Sequence, residues 1–124
     1  MLNGRILIVD DEEDICKTLS DFLTECGYDV LQATSGEEAI RLVKAARPHL
    51  ILLDIRMPEM DGLEILRKVR ALDHEVGVIM ITAFTDITIA QESLKLGASD
   101  FVTKPIDLDY LETSIRVKIG AMMA

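Results

Sequence analysis

The sequence predicts an α/β protein built on a five-stranded parallel sheet with helices on both faces. Three observations predict it. Two short runs, Ile6-Leu7-Ile8-Val9 and Leu50-Ile51-Leu52-Leu53, are apolar without alternation. That is the pattern of strands buried on both faces, as the central strands of a parallel sheet are. Between the apolar runs lie segments whose apolar residues recur at helical spacing, so that strand and helix alternate five times along the chain.

Taken in order, the first strand covers residues 5–9 and runs into Asp10-Asp11-Glu12-Glu13-Asp14. Ile15, Leu19, Phe22, Leu23 and Cys26 then form a helical stripe, which Gly27 stops. Residues 28–33 are a weaker, more polar strand suited to a sheet edge. Ser35-Gly36-Glu37-Glu38 reads as a capping box, opening a helix with the stripe Ala39, Ile40, Val43 and Ala46 that Arg47-Pro48 closes. The third strand, residues 50–53, delivers Asp54 where it runs out, and Met57-Pro58 with Asp61-Gly62 mark a loop. Asp61 and Glu64 form a second capping box ahead of Ile65, Leu66 and Val69. Residues 76–81 are a fourth strand ending at Thr82, and a helix over residues 86–96 stops at Gly97. Residues 100–103 are a short fifth strand ending at Lys104-Pro105. Asp107 caps a last helix through Leu108, Leu111, Ile115 and Ile119. Five strands joined by right-handed crossovers favour the order 2-1-3-4-5, a flavodoxin-like three-layer αβα arrangement whose switch point lies between strands one and three.

The whole chain, residues 1–124, suits one domain. Hydrophobic content of 49% and charged content of 28% are those of a globular protein. No apolar run approaches membrane-spanning length and no signal-peptide pattern opens the chain, so a cytoplasmic protein without membrane association is expected. The formal charge of −9 argues against nucleic-acid binding by this domain, because phosphate backbones need neutralising positive charge. Cys16 and Cys26, ten residues apart on one predicted helix, would be separated by roughly 15 Å, too far for a disulfide. They read as small apolar groups in a reducing compartment. His49 and His74 are isolated and read as surface or loop residues.

The chemistry gathers at the carboxyl ends of the strands, where open parallel sheets form their ligand crevice. Strand one ends in Asp10 and Asp11, strand three in Asp54, strand four in Thr82 and strand five in Lys104. In the order 2-1-3-4-5 these strands are neighbours, so the five side chains converge. Singly each has an ordinary explanation: a helix cap, a turn-initiating Asp, a β-branched strand end, a solvated lysine. Together they point to a shared site. Three carboxylates in one crevice repel one another and call for a hard divalent cation, for which partly hydrated Mg²⁺ fits best. A cation, an ammonium and a hydroxyl around a carboxylate nucleophile suit phosphoryl transfer.

These residues resemble the receiver domain of bacterial two-component response regulators: Asp10-Asp11, Asp54-Ile55-Arg56-Met57-Pro58 with Asp61-Gly62, Thr82-Ala83 and Lys104-Pro105. The resemblance covers essentially the whole chain. It implies a phosphoacceptor switch rather than a conventional enzyme, with Asp54 accepting a phosphoryl group from a sensor histidine kinase. It further implies Mg²⁺, or Mn²⁺ in its place, on Asp11, Asp54 and the backbone carbonyl of Arg56, with Asp10 acting through water. Thr82 and Lys104 would contact the phosphoryl oxygens, Ala83 would leave room for them, and the Lys104–Pro105 peptide would be cis. Thr82 and Phe101 would be the switch pair, and Arg56 and Phe84 would tune the lifetime of the phosphorylated state. The output would pass through the face made by the fourth helix, fifth strand and fifth helix, to an output domain, a downstream protein or a second copy of the chain.

Two rival readings fit less well. A haloacid-dehalogenase-type phosphatase needs a second Asp two residues after its nucleophile, where this chain has Arg56. A flavin carrier needs hydroxyl groups after strand one and aromatic residues beside the ring, whereas this chain has Asp10-Asp11-Glu12-Glu13 there and 4% aromatic residues.

Overall fold

The computed structural model describes residues 4–123, apart from the side chains of Phe84 and Met123. The strands are β1 (Arg5–Val9), β2 (Asp29–Ala33), β3 (Leu50–Asp54), β4 (Gly77–Thr82) and β5 (Asp100–Thr103). The helices are α1 (Glu13–Glu25), α2 (Gly36–Ala46), α3 (Gly62–Leu72), α4 (Ile87–Lys95) and α5 (Leu108–Met123), with a 3-10 turn at Phe84–Asp86 ahead of α4. All strand pairs are parallel and the order is β2-β1-β3-β4-β5, as expected.

Each central strand divides its apolar residues between two cores. Ile6 and Ile8, Leu50 and Leu52, and Ile79 and Ile81 face one side, where Cys16, Leu19 and Leu23 of α1 and Leu111, Ile115 and Ile119 of α5 cover them. Leu7 and Val9, Ile51 and Leu53, and Val78 and Met80 face the other, under Ala39 and Val43 of α2, Ile65, Leu66 and Val69 of α3, and Ala90 of α4. The unbroken apolar runs of β1, β3 and β4 are thus the physical reason for three layers.

The helix starts depart in detail from the capping boxes. The Ser35 side chain accepts from Glu38 N–H, but the Glu38 carboxylate accepts from Thr34 N–H instead of closing the box on Ser35. Asp61 accepts from Glu64 N–H, while Glu64 lies 3.7 Å from Lys68. The expected helix over 86–96 is shorter, because Asp86 belongs to the 3-10 turn.

Candidate functional site

β1 ends by carrying Asp10 beneath the surface. Its N–H donates to Ala33 O at 3.1 Å, and Oδ1 accepts from Glu12 N–H at 2.9 Å. Its other oxygen, Oδ2, is buried without a hydrogen-bond partner among the described residues. Burial pushes this carboxyl up to about 6; the Glu12 N–H opposes the shift and the neighbouring Asp54 adds to it. Asp11, on the turn that follows, is exposed. The Cys16 thiol donates to Asp10 O at 3.3 Å, and burial holds it up at about 11, an inert group supporting the turn.

Asp54 is the last residue of β3 and only 4% exposed. Its Oδ1 accepts from Arg56 N–H at 3.2 Å, and Oδ2 lies 3.6 Å from the Lys104 ammonium. Burial raises the Asp54 carboxyl above its ordinary value despite the opposing pull of Lys104 and the Arg56 N–H. Asp10, Asp11 and Asp54 each offer a carboxylate oxygen within 4.8 Å of the others. The convergence expected from strand order is therefore present for Asp10, Asp11, Asp54 and Lys104.

Gly62 explains part of the local sequence. A Cβ there would lie 2.7 Å from both Asp54 O and Ile55 Cα, and Gly62 N–H donates to Ile55 O at 2.8 Å. The start of α3 thus presses on the backbone that carries Asp54, and only a residue without a side chain allows the approach.

On the far side of the pocket, Lys104 N–H donates to Thr82 O at 2.8 Å, bringing the ends of β4 and β5 together. The Lys104–Pro105 peptide is cis. Thr82 is buried, and its hydroxyl donates to Ala83 O at 3.1 Å. Ala83 is exposed. Phe101 is half-buried, packed against the core beneath α2, α3 and α4. The Phe84 side chain lies outside the described residues.

Beside Lys104 a groove of about 370 Å³ runs between α1 and the β5–α5 loop, lined by Ile15, Leu19, Pro105, Ile106 and Leu108 among others. A larger hollow of about 660 Å³ lies at the opposite, N-terminal ends of the strands and includes His49 and His74. There His49 Nδ1 accepts from Arg5 N–H at 3.0 Å, which gives that imidazole a structural task.

The profile described as "Response regulator receiver domain" matches residues 6–116. The chain belongs to that family. Among curated relatives, it is 39% identical to sporulation initiation phosphotransferase F of Bacillus subtilis (strain 168), over 94% of each chain. It is 40% identical to the regulatory protein AtoC of Escherichia coli (strain K12), over 91% of this chain and 24% of that protein. The chain therefore spans nearly all of one relative and about a quarter of the other. Among solved structures, a response regulator receiver domain protein from Clostridium thermocellum superposes with a TM-score of 0.93 at 28% identity, covering 97% of both chains. The receiver domain of NtrX from Brucella abortus superposes with a TM-score of 0.89 at 30% identity, over 93% of this chain and 98% of that one. As a receiver domain of the two-component systems, the chain has no helix among its described residues long and apolar enough to cross a membrane.

Arg56 has a partner that the sequence did not announce. Its guanidinium makes a two-point contact with Asp86: Nε to Oδ2 at 3.0 Å and Nη2 to Oδ1 at 2.6 Å. The guanidinium holds the Asp86 carboxyl below its ordinary value. Asp86 was legible from the sequence only as the start of a helix. Its partner lies thirty residues away in the chain, joined to it only because β3 and β4 are neighbours.

Proposed function

We propose that Asp54 accepts a phosphoryl group from a phosphohistidine of a sensor histidine kinase and that the domain relays this event to a partner. The observation that carries the reading is Asp54 itself: a buried carboxylate with a lysine at 3.6 Å and two further carboxylates around it. An Asp54 oxygen attacks phosphorus in line. The new P–O bond forms as the P–N bond breaks, and the electron pair returns to the imidazole nitrogen, which takes up a proton. The product is an acyl phosphate on Asp54.

The residues fit a divalent cation on two grounds. Asp10 Oδ2 is buried without a hydrogen-bond partner among the described residues, and the donor set is all oxygen, which suits Mg²⁺ or Mn²⁺. Asp11, Asp54 and the Arg56 carbonyl would hold it, with Asp10 behind them, and when bound it supplies charge neutralisation for the transferring phosphoryl oxygens. Lys104, 3.6 Å from Asp54 Oδ2, contributes a second positive charge. The apolar groove beside Lys104 offers a seat for the apolar face of the donor's histidine-bearing helix. Hydrolysis of the acyl phosphate by water in the same pocket resets the domain.

Output begins at Thr82. Its hydroxyl, now on Ala83 O, gains a stronger acceptor in the phosphoryl group. Its inward movement opens space behind β4 for Phe101, which is already half-buried and so gains only part of its area by moving. The face of α4, β5 and α5 changes, and a cytoplasmic output domain, downstream protein or second copy of the chain binds it in the phosphorylated state.

Intact-mass measurement with a small phosphodonor tests the reading. One added phosphoryl group is expected, absent in Asp54→Asn and absent with a metal chelator. Phosphorylation that persists in Asp54→Asn overturns the assignment.

A further inference from the structure

Asp86 stands at the N-cap position of α4, yet its carboxylate makes no hydrogen bond to that helix. Ser35 and Asp61, at the same position on α2 and α3, are extended at ψ 160 and 164, and each accepts from the N–H three residues on. Asp86 has ψ 22, is wound into the 3-10 turn, and gives both oxygens to Arg56. One carboxylate thus has two mutually exclusive sets of donors, separated chiefly by a rotation of its own ψ. One set is the guanidinium. The other is the first-turn N–H groups of α4, which an uncapped helix leaves without an intrahelical partner.

Arg56 has two sets of acceptors in the same way. Its N–H already touches Asp54 Oδ1, and its side chain is 70% exposed, so no packing fixes the guanidinium on Asp86. A phosphoryl group on Asp54 would present oxygens that match a guanidinium in charge and in its two-pronged geometry.

We propose that Arg56 and Asp86 are an exchange pair. When Asp54 is phosphorylated, the guanidinium transfers from Asp86 to the phosphoryl oxygens, and Asp86 turns to cap α4, unwinding the 3-10 turn at Phe84–Asp86. The inference rests on the reading of Asp54 as the phosphoryl acceptor. Neither state strands a charged group, so a phosphoryl group that favours one of them can shift the choice. α4 is able to follow, because its only buried residues, Ala90 and Ser93, are small, and Ile89 is its one larger side chain packed, half-buried, against the core.

Amide NMR of α4 with intact-mass measurement on the same samples tests the exchange. In the wild type, phosphorylation should move the Thr88 and Ile89 amide resonances, the donors an Asp86 cap would engage. Asp86→Asn keeps a capping side chain but cannot hold the ion pair, and Arg56→Gln frees Asp86 to cap. Without phosphorylation, both variants should therefore carry these resonances most of the way to their phosphorylated wild-type positions, whereas Asp86→Ala should not. The phosphoryl lifetime should shorten several-fold in Arg56→Gln and lengthen in Asp86→Ala, where the guanidinium has no rival acceptor. If one variant fails to fold, the other and the wild-type pair decide. A phosphorylated wild type with Thr88 and Ile89 unmoved, or folded variants that leave them at the unphosphorylated positions, overturns the exchange and spares the acceptor reading. Absence of any phosphoryl group on Asp54 overturns both.

Discussion

Burying Asp10 next to Asp54 makes the metal-free pocket oppose its own ionisation. The ordinary carboxyl titrates at 3.8 and the folded one at about 6, so between those values the folded chain binds more proton than the unfolded chain. The resulting contribution to stability is complete below the unfolded value and is lost as pH rises through the folded one, a difference on the order of 2–3 kcal/mol. Asp86 works in the opposite sense: its lowered carboxyl favours the fold at neutral pH, and that contribution is lost as pH falls. Comparing wild type with Asp10→Asn isolates the first effect, since Asn still accepts from Glu12 N–H. Metal-free Asp10→Asn should melt above the wild type at pH 7, with the gap closing toward pH 4; a gap independent of pH would refute the account. Gly62 gives a second outcome at this scale. Gly62→Ala forces a methyl to within 2.7 Å of Asp54 O and Ile55 Cα. It should cost about 1–3 kcal/mol of unfolding free energy and displace Asp54, read as a lowered denaturant midpoint together with slower phosphorylation of that proposed acceptor.

Among the helices, α4 is gripped at both ends as well as through Ile89 and Ala90 on its face. Arg56 grips its N-terminal side through Asp86. At the other end, Arg70 of α3 directs Nε and Nη2 to Gly97 O at 2.9 and 2.7 Å and Nη1 to Asp73 O at 3.2 Å. Gly97 has φ +106, and a Cβ there would meet the Arg70 side chain, so the glycine serves both the helix stop and the clamp. Arg70→Met keeps the aliphatic stem and removes the donors. Hydrogen exchange in α4 should then quicken by the equivalent of about 1–2 kcal/mol, while the β4 amides keep their protection. Equal loosening of both elements would mean that Arg70 supports the whole fold instead.

For the molecule as a whole, ligand binding and stability are linked. A cation that binds the folded pocket and not the unfolded chain stabilises by mass action, roughly 2.7 kcal/mol at a hundredfold excess over Kd. Mg²⁺ should therefore raise the melting temperature of the wild type, and the gain should shrink in Asp11→Asn and Asp54→Asn. An undiminished gain in both would place the cation elsewhere on this chain of formal charge −9. The same linkage predicts competition with protons, because the Asp10 carboxyl near 6 must ionise for the pocket to reach full charge.

The layers, the strand order and the convergence of Asp10, Asp11, Asp54 and Lys104 were legible without coordinates. Apolar runs such as residues 50–53 have one stable placement, between two helical layers, and parallel crossovers then bring all the strand ends to one crevice. Side-chain partners were not legible in the same way. Nothing near Arg56 in the chain announces Asp86, and helical periodicity assigns residue 86 to a helix where the backbone winds a 3-10 turn. Glu38 and Glu64 match a capping pattern, yet Glu38 reaches Thr34 and Glu64 lies beside Lys68. Burial pattern is set by many residues acting together, so it survives in the sequence. The choice of one partner among several of similar energy depends on distances of a few ångströms across neighbouring strands and loops, and only the tertiary structure decides those.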